Sequence, residues 1–233
     1  MPRRWCGRSA TRASRYLRVD RNRGPGGCRN VGVGEARAEL LAFQDSDDEW
    51  GPQKLERQLC LLEARGPDVG VVYCDMLRVR ADGVGEPHHS PPVRKGRWID
   101  PETGFYSPYG LGIQTCLIRR VAYERAGGFR EELRCFEDLE LFLRLLLDWE
   151  FALIPEALVR YHETVGGQTT KWREELKTRR RIVWESRALL LRESPSFWFR
   201  EAALVGLRTL LGPGGGRLPG RPFGPPLRKP AEA

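Results

Sequence analysis

Along the chain, short apolar runs alternate with amphipathic stretches. Leu40-Leu41-Ala42-Phe43 reads as a buried strand, and four acidic residues follow between Asp45 and Glu49. A helix is expected from Pro52 to about Arg65. Proline suits a first turn, and Leu55, Leu59 and Leu62 recur at i, i+4, i+7. Gly70 to Asp75 reads as a second buried strand and Ile113 to Ile118 as a third. Val121 to Ala126 gives a short helix stopped by Gly127-Gly128. Cys135 opens a longer helix with Leu139, Phe142, Leu143, Leu146 and Leu147 on its apolar face. Phe151–Pro155 and Leu158–Tyr161 look like closing strands. Lys171–Leu191 and Phe197–Leu211 are amphipathic helices, the first of them basic. Nearer the start, Tyr16–Val19 is a short alternating strand, Arg23–Gly27 a loop, and Cys28 begins a helix through Ala38. Residues 83–112 are rich in Gly and Pro, and a loop of that length is usually functional or mobile. Strands alternating with helices predict an α/β domain.

Chemistry enters with the acidic stretch. Charge at the end of a buried strand is costly unless something offsets it. A hard divalent cation does so, because carboxylate oxygens suit Mg2+ or Mn2+. The competing reading is an acidic N-cap, with Asp47 or Asp48 closing the helix that follows. Net charge sharpens the choice. The chain carries +8, yet residues 1–30 hold nine Arg against one Asp, and residues 171–233 hold fourteen Lys/Arg against six Glu. The middle is acidic, with sixteen bases against twenty-four acids. The basicity therefore belongs to the ends, where it reads as solvated charge, and no nucleic-acid motif accompanies it.

At 233 residues the chain can bury one sizeable core with a C-terminal appendage. No apolar run approaches the ~20 residues of a membrane span. The six cysteines form no CxxC pair, and several lie inside apolar patterns, so reduced, buried thiols in a cytosolic protein are expected. His88, His89 and His162 form no metal-spacing motif by themselves. Residues 1–15 are Arg-rich without the apolar core of a secretory signal, and they read as a disordered extension. The Gly-, Pro- and Arg-rich tail from Gly212 reads likewise.

Several segments in order resemble the family 2 GT-A glycosyltransferases: Gly27-Cys28-Arg29-Asn30, Ala42-Phe43-Gln44-Asp45-Ser46-Asp47-Asp48-Glu49-Trp50, Pro52, Lys54-Leu55-Glu56-Arg57-Gln58, Gly127-Gly128-Phe129 and Glu137-Asp138-Leu139-Glu140-Leu141. The resemblance spans roughly residues 16–165 and implies a GT-A, Rossmann-like mixed sheet flanked by helices. Residues 166–211 then form a helical appendage. It further implies an inverting transferase that moves a sugar from a nucleotide-diphospho-sugar to an acceptor hydroxyl. Asp45 and Asp47 would hold Mg2+ or Mn2+ on the donor pyrophosphate, with Asp48 beside them. Asp138 would be the general base, Arg29, Asn30 and Asp45 would lie at the nucleotide, and His162 would touch metal or phosphate.

The family's usual setting implies a glycan or lipid-linked acceptor, cell-surface glycan synthesis and a cytoplasmic protein. The Phe197–Leu211 helix has two readings, packing on the core domain, which is the more ordinary use, or peripheral contact at the inner membrane face near a lipid-linked acceptor. Gln168-Thr169-Thr170-Lys171-Trp172 looks like a Gln-x-x-Arg-Trp motif of processive members. With Lys in place of Arg and no membrane spans beside it, the match reads as coincidence. The chain departs from the family pattern in lacking its first strands, the first of which would lie beside Leu40–Phe43. This predicts an N-terminally truncated fold with an open edge. Two functional readings stand: an active transferase, or a degenerate relative that survives as a binding module.

Overall fold

The computed structural model describes residues 15–163 and 172–211. The basic extension before residue 15, the Gln168–Lys171 segment and the tail from Gly212 lie outside the described residues. Within them the chain runs α1 (Gly24–Glu35), β1 (Leu40–Ala42), β2 (Glu49–Trp50), α2 (Lys54–Arg65), β3 (Val69–Val79), β4 (Gly85–His88), a 3-10 turn (Ile113–Thr115), β5 (Leu117–Arg119), α3 (Arg120–Arg125), α4 (Glu137–Asp148), β6 (Glu150–His162), α5 (Trp172–Glu185), α6 (Arg187–Glu193) and α7 (Pro195–Leu211).

The strands form one mixed sheet in the order β1-β5-β3-β6-β2. β3 runs parallel to β6 and antiparallel to β5, and β4 pairs with its far half. Helices cover both faces of the sheet. Val71 and Tyr73 of β3 point into a core shared with Val33 of α1, the apolar face of α4, and Ile182, Leu190 and Phe197 from the C-terminal helices. Val72, Cys74 and Met76 point the other way, onto Leu62 of α2. A strand covered on both faces must be apolar almost throughout, which is why this stretch reads as a continuous hydrophobic run.

Several expectations are corrected. Tyr16–Val19 forms no strand: it is irregular, and Tyr16 is 89% exposed. Its two apolar residues have no neighbouring strand to bury them, and the segment is tethered instead by the Arg15–Glu35 ion pair. The expected loop at Arg23–Gly27 contains the first turn of α1, which ends at Glu35. Its glycines mark close packing: a Cβ on Gly26 would stand 3.1 Å from that of Phe129. Ile113–Thr115 is a 3-10 turn, so only Leu117–Arg119 pairs as a strand. The two closing strands are one, β6, whose register against β3 shifts at Cys74/Asp75. The basic helix breaks at Ser186 into α5 and α6.

The leucine repeat of α2 is misleading too. Leu55 and Leu59 are exposed, whereas Lys54, Gln58 and Leu62 are buried. Gln58 Nε2 donates to the Val72 and Thr115 carbonyls (3.2 and 2.7 Å), and Lys54 Nζ donates to Gln58 Oε1 (2.9 Å) and lies over the Trp50 ring. Polar pairing, not apolar periodicity, sets the face of this helix. Cys74, Cys116 and Cys135 are buried free thiols, but Cys28 and Cys60 are exposed. The long segment 83–112 is built into the protein: it contributes β4, and Val93, Trp98, Ile99, Tyr106 and Leu111 to the main core.

Candidate active site

Arg29 brings three separated parts of the chain together. It sits in the second turn of α1, with its side chain largely buried. Nη2 donates to Asp45 Oδ1 and Nη1 to Glu137 Oε1, each at 2.7 Å, while the guanidinium lies over the Phe129 ring. Burial pulls its pKa down, but Asp45, Glu137 and Asp138 outweigh that and raise it, so Arg29 is a permanent cation between carboxylates. Asn30 has another task. Its Oδ1 accepts from the Tyr123 hydroxyl (2.5 Å) and the Phe129 N–H (3.0 Å), and its Nδ2 donates to the Phe129 carbonyl (2.8 Å). The glycine pair before Phe129 has positive φ at both residues. Asn30 thus ties α1 to that turn.

The start of α4 is placed by an uncommon backbone. Phe136 adopts a left-handed conformation (φ 54°, ψ 24°), the one such non-glycine among the described residues. A left-handed residue costs about 1–2 kcal/mol and persists where its surroundings dictate it. It swings Glu137 and Asp138 into the first turn of α4, under Arg29. Arg144 fastens this arrangement from behind, donating to both Glu140 oxygens and to the Gly128 carbonyl (2.7 Å). Burial, then the adjacent Glu137 charge, push the Asp138 carboxyl well above the usual carboxylate range. Arg29 and the Leu139 N–H pull the other way, less strongly.

The acidic segment turns tightly between β1 and β2. The Asp48 N–H donates to the Asp45 carbonyl (3.2 Å), and Gln44 Nε2 to the Asp48 carbonyl (3.1 Å). Asp45 is half-exposed, Asp47 exposed and Asp48 buried. Asp48 Oδ1 accepts the His162 N–H (3.1 Å), and burial lifts this carboxyl from 3.8 to about 7. Asp48 Oδ2 is a buried atom with no hydrogen-bond partner, and His162 Nε2 lies 3.4 Å from Glu49 Oε1. This unpaired carboxylate oxygen, with Asp47 exposed beside it, fits a cation. Among the described residues, however, no group of three His, Cys, Asp or Glu side chains is gathered to hold an ion unaided.

The structure therefore joins Arg29, Asp45 and Asp138 in one cluster, completed by Glu137. It sets Asp47, Asp48 and His162 in a second at the β2–β6 end. Asn30 turns away, toward Phe129. Glu137 was legible as the neighbour of Asp138, but nothing in the sequence marked it as the partner of Arg29. Arg78 and Tyr161, paired in register across β3 and β6, were missed as well. Tyr161 lies in the field of Asp48, Arg78 and Asp47, and its position in an ordinary strand pattern concealed it. No helix among the described residues is long and apolar enough to cross a membrane.

Comparison with known proteins accords with this geometry. A family profile described as "Glycosyl transferase family 2" matches residues 10–124. The succinoglycan biosynthesis protein ExoO of Rhizobium meliloti is 32% identical over 160 residues, covering 66% of this chain and 46% of the relative. The amylovoran biosynthesis glycosyltransferase AmsB of Erwinia amylovora is 28% identical over 141 residues, covering 58% and 46%. The chain spans about half the length of the curated relatives it matches. Among solved structures, S. aureus TarS superposes with a TM-score of 0.56 at 20% identity, over 82% of this chain and 55% of that one. TarS in complex with UDP-GlcNAc gives 0.54 at 22% identity, over 70% and 46%. The fold is thus the GT-A fold, and the profile match, the relatives and the fold together support a family 2 GT-A glycosyltransferase.

Proposed function

We propose that this chain transfers a sugar from a nucleotide-diphospho-sugar to an acceptor hydroxyl in glycan synthesis, by a single inverting displacement. The observation that carries the reading is Arg29, clamped between Asp45 of the acidic turn and Glu137 beside Asp138. One side chain couples the segment assigned to the donor with the one assigned to the base. The family profile match and the glycan-biosynthesis relatives supply the reaction class, and TarS has been solved with a nucleotide-sugar of the donor class proposed here.

Asp138 is the general base. With its proton affinity raised by burial and Glu137, it takes the proton from the acceptor oxygen as that oxygen attacks the anomeric carbon. Arg29 and Asp45 face the nucleotide. Asn30 acts at one remove, by fixing α1 against Phe129 so that Arg29 is held in place. Asp45, Asp47 and His162 are the residues assigned to hold Mg2+ or Mn2+, with Asp48 and its unpaired oxygen beside them. When bound, the cation supplies Lewis-acid stabilisation of charge on the departing nucleotide diphosphate.

The test is titration calorimetry with UDP and GDP, with and without Mn2+, on the wild type and on Asp47→Ala, followed by transfer assays on Asp138→Asn. Binding that needs Mn2+ and disappears in Asp47→Ala supports the donor assignment. A loss of ~10²–10⁴-fold in turnover for Asp138→Asn, with nucleotide affinity retained, supports the base. Absence of nucleotide binding by the folded chain sinks the proposal in favour of a non-catalytic binding module.

A further inference from the structure

The acidic turn holds four carboxylates, Asp45, Asp47, Asp48 and Glu49. Asp45 Oδ1 accepts from Arg29 Nη2 at 2.7 Å, Asp48 Oδ1 accepts the His162 N–H at 3.1 Å, and Glu49 Oε1 lies 3.4 Å from His162 Nε2. Asp47 stands exposed, and the second oxygen of Asp48 is buried without a partner. Oxygen sites bind a divalent cation more tightly as their charge count rises. The turn therefore has the acids for a cation, but its first aspartate is already paired with a positive charge of the protein's own.

That charge is held in place. Arg29 Nη1 donates to Glu137 Oε1 at 2.7 Å, the guanidinium carbon lies 5.5 Å from the centre of the Phe129 ring, and the neighbouring Asn30 is tied to the Phe129 N–H and carbonyl. An arginine does not lose its proton. Exposure grades across the cluster: the Glu137 and Arg29 side chains are 10% and 15% exposed, that of Asp45 38%. Solvent reaches the pair from the Asp45 side, so a cation arrives there. A divalent ion that takes Asp45 stands beside a fixed positive charge and must break a charge-assisted hydrogen bond. Both effects oppose its binding.

A nucleoside diphosphate removes both obstacles. Its phosphates bring negative charge that offsets the cation and the guanidinium together. A phosphate oxygen also accepts from Arg29 as a carboxylate does, because the planar fork suits either oxyanion. Nη2 can then change partner while Nη1 stays on Glu137.

We propose that Arg29 makes metal binding depend on the nucleotide: without a donor it occupies Asp45 as an internal counter-ion, and it yields Asp45 to the cation only when a nucleoside diphosphate is there to receive the guanidinium. This rests on the donor-site reading above and adds to it an order of binding. A purely structural clamp predicts the reverse, since freeing Asp45 from Arg29 would then loosen the cation's site.

The test is Mn2+ titration of the nucleotide-free full chain, followed by the EPR signal of the free ion, on the wild type, Arg29→Gln, Arg29→Lys and Arg29→Gln/Asp45→Asn. Arg29→Gln should bind Mn2+ about tenfold more tightly than the wild type, the size of an ordinary coupling between sites. Arg29→Lys keeps the charge and should stay near the wild type. The double variant should lose the gain, because the gain works through Asp45. Circular dichroism checks that each variant folds. On the wild type alone, the NMR resonance of the Arg29 Nε–H should be unmoved by millimolar Mg2+ and should shift when UDP or GDP is added with it. An Arg29→Gln affinity equal to or below that of the wild type, an equal gain in Arg29→Lys, a gain that survives Asp45→Asn, or a resonance moved by Mg2+ alone overturns the inference. Calorimetry with each nucleotide and Mn2+ on the wild type separates the two readings. Binding there, with no gain in Arg29→Gln, fails this inference and leaves the donor site standing, whereas no binding of either nucleotide fails the donor site and this inference with it.

Discussion

Arg29 shows how much one residue can organise. Its two bidentate-capable arms hold carboxylates from the acidic turn and from α4, which are separated by more than ninety positions in sequence. Because Arg29 opposes the upward shift of Asp138, its removal lets that shift grow. Arg29→Gln is therefore expected to move the acid limb of the rate profile to higher pH, read as turnover from pH 5 to 9. An unmoved limb would separate Arg29 from the base. Asp48 gives a prediction of opposite character. Its carboxyl is lifted from 3.8 to about 7 mainly by burial, so the fold favours the neutral form. Its stabilising share is complete below pH ~4 and is lost as pH rises through about 7. Asp48→Asn should thus raise stability above pH 7 in metal-free buffer, measured by urea denaturation, and leave it little changed at pH 4. The same substitution removes a carboxylate from the proposed metal site, so stability and metal affinity should move in opposite directions.

At the scale of elements, α2 is instructive. Leu55, Leu59 and Leu62 satisfy a helical period, yet only Leu62 faces inward. What orients the helix is Gln58, which satisfies carbonyls of β3 and the 3-10 turn, and Lys54, stacked on Trp50. Gln58→Leu should cost roughly 1–3 kcal/mol, because it leaves the Val72 and Thr115 carbonyls without this donor inside the protein. The measurement is the urea midpoint, and an unchanged midpoint would return the leucine stripe to the core. Similar logic explains α1. Arg23-Gly24-Pro25-Gly26-Gly27 carries turn composition, but its small residues serve the approach of Phe129 and Glu137. Element type was legible at the apolar runs Leu40–Phe43 and Gly70–Asp75 and along the amphipathic period of α4, though the run at Ile113 begins with a 3-10 turn. It failed where glycine or polar side chains served packing instead.

At the scale of the whole molecule, the sheet order decides which thiols are reachable. Cys74, Cys116 and Cys135 are buried in the packed interior, and desolvation lifts them to about 11, 12 and 11. Cys28 and Cys60 lie on exposed helix surface. Iodoacetamide at pH 8, read by mass spectrometry, should therefore label Cys28 and Cys60 in the native protein and the other three only after denaturation. Native labelling of Cys74 would mean that β3 is not covered on both faces.

The sequence by itself determined the alternation of strands and helices, the acidic turn after a buried strand, the Glu-Asp pair at a helix start and the order of these motifs. Each is local: it depends on periodicity, turn chemistry or charge within about a dozen neighbours. Only the tertiary structure decided which of those charges meet. Arg29 between Asp45 and Glu137 and Asp48 under the His162 amide depend on β6 returning parallel to β3 and on α1 packing against α4. Such pairings join positions far apart in the chain, and the free energy that selects them is burial and polar satisfaction summed over the whole core, to which no single segment holds the key.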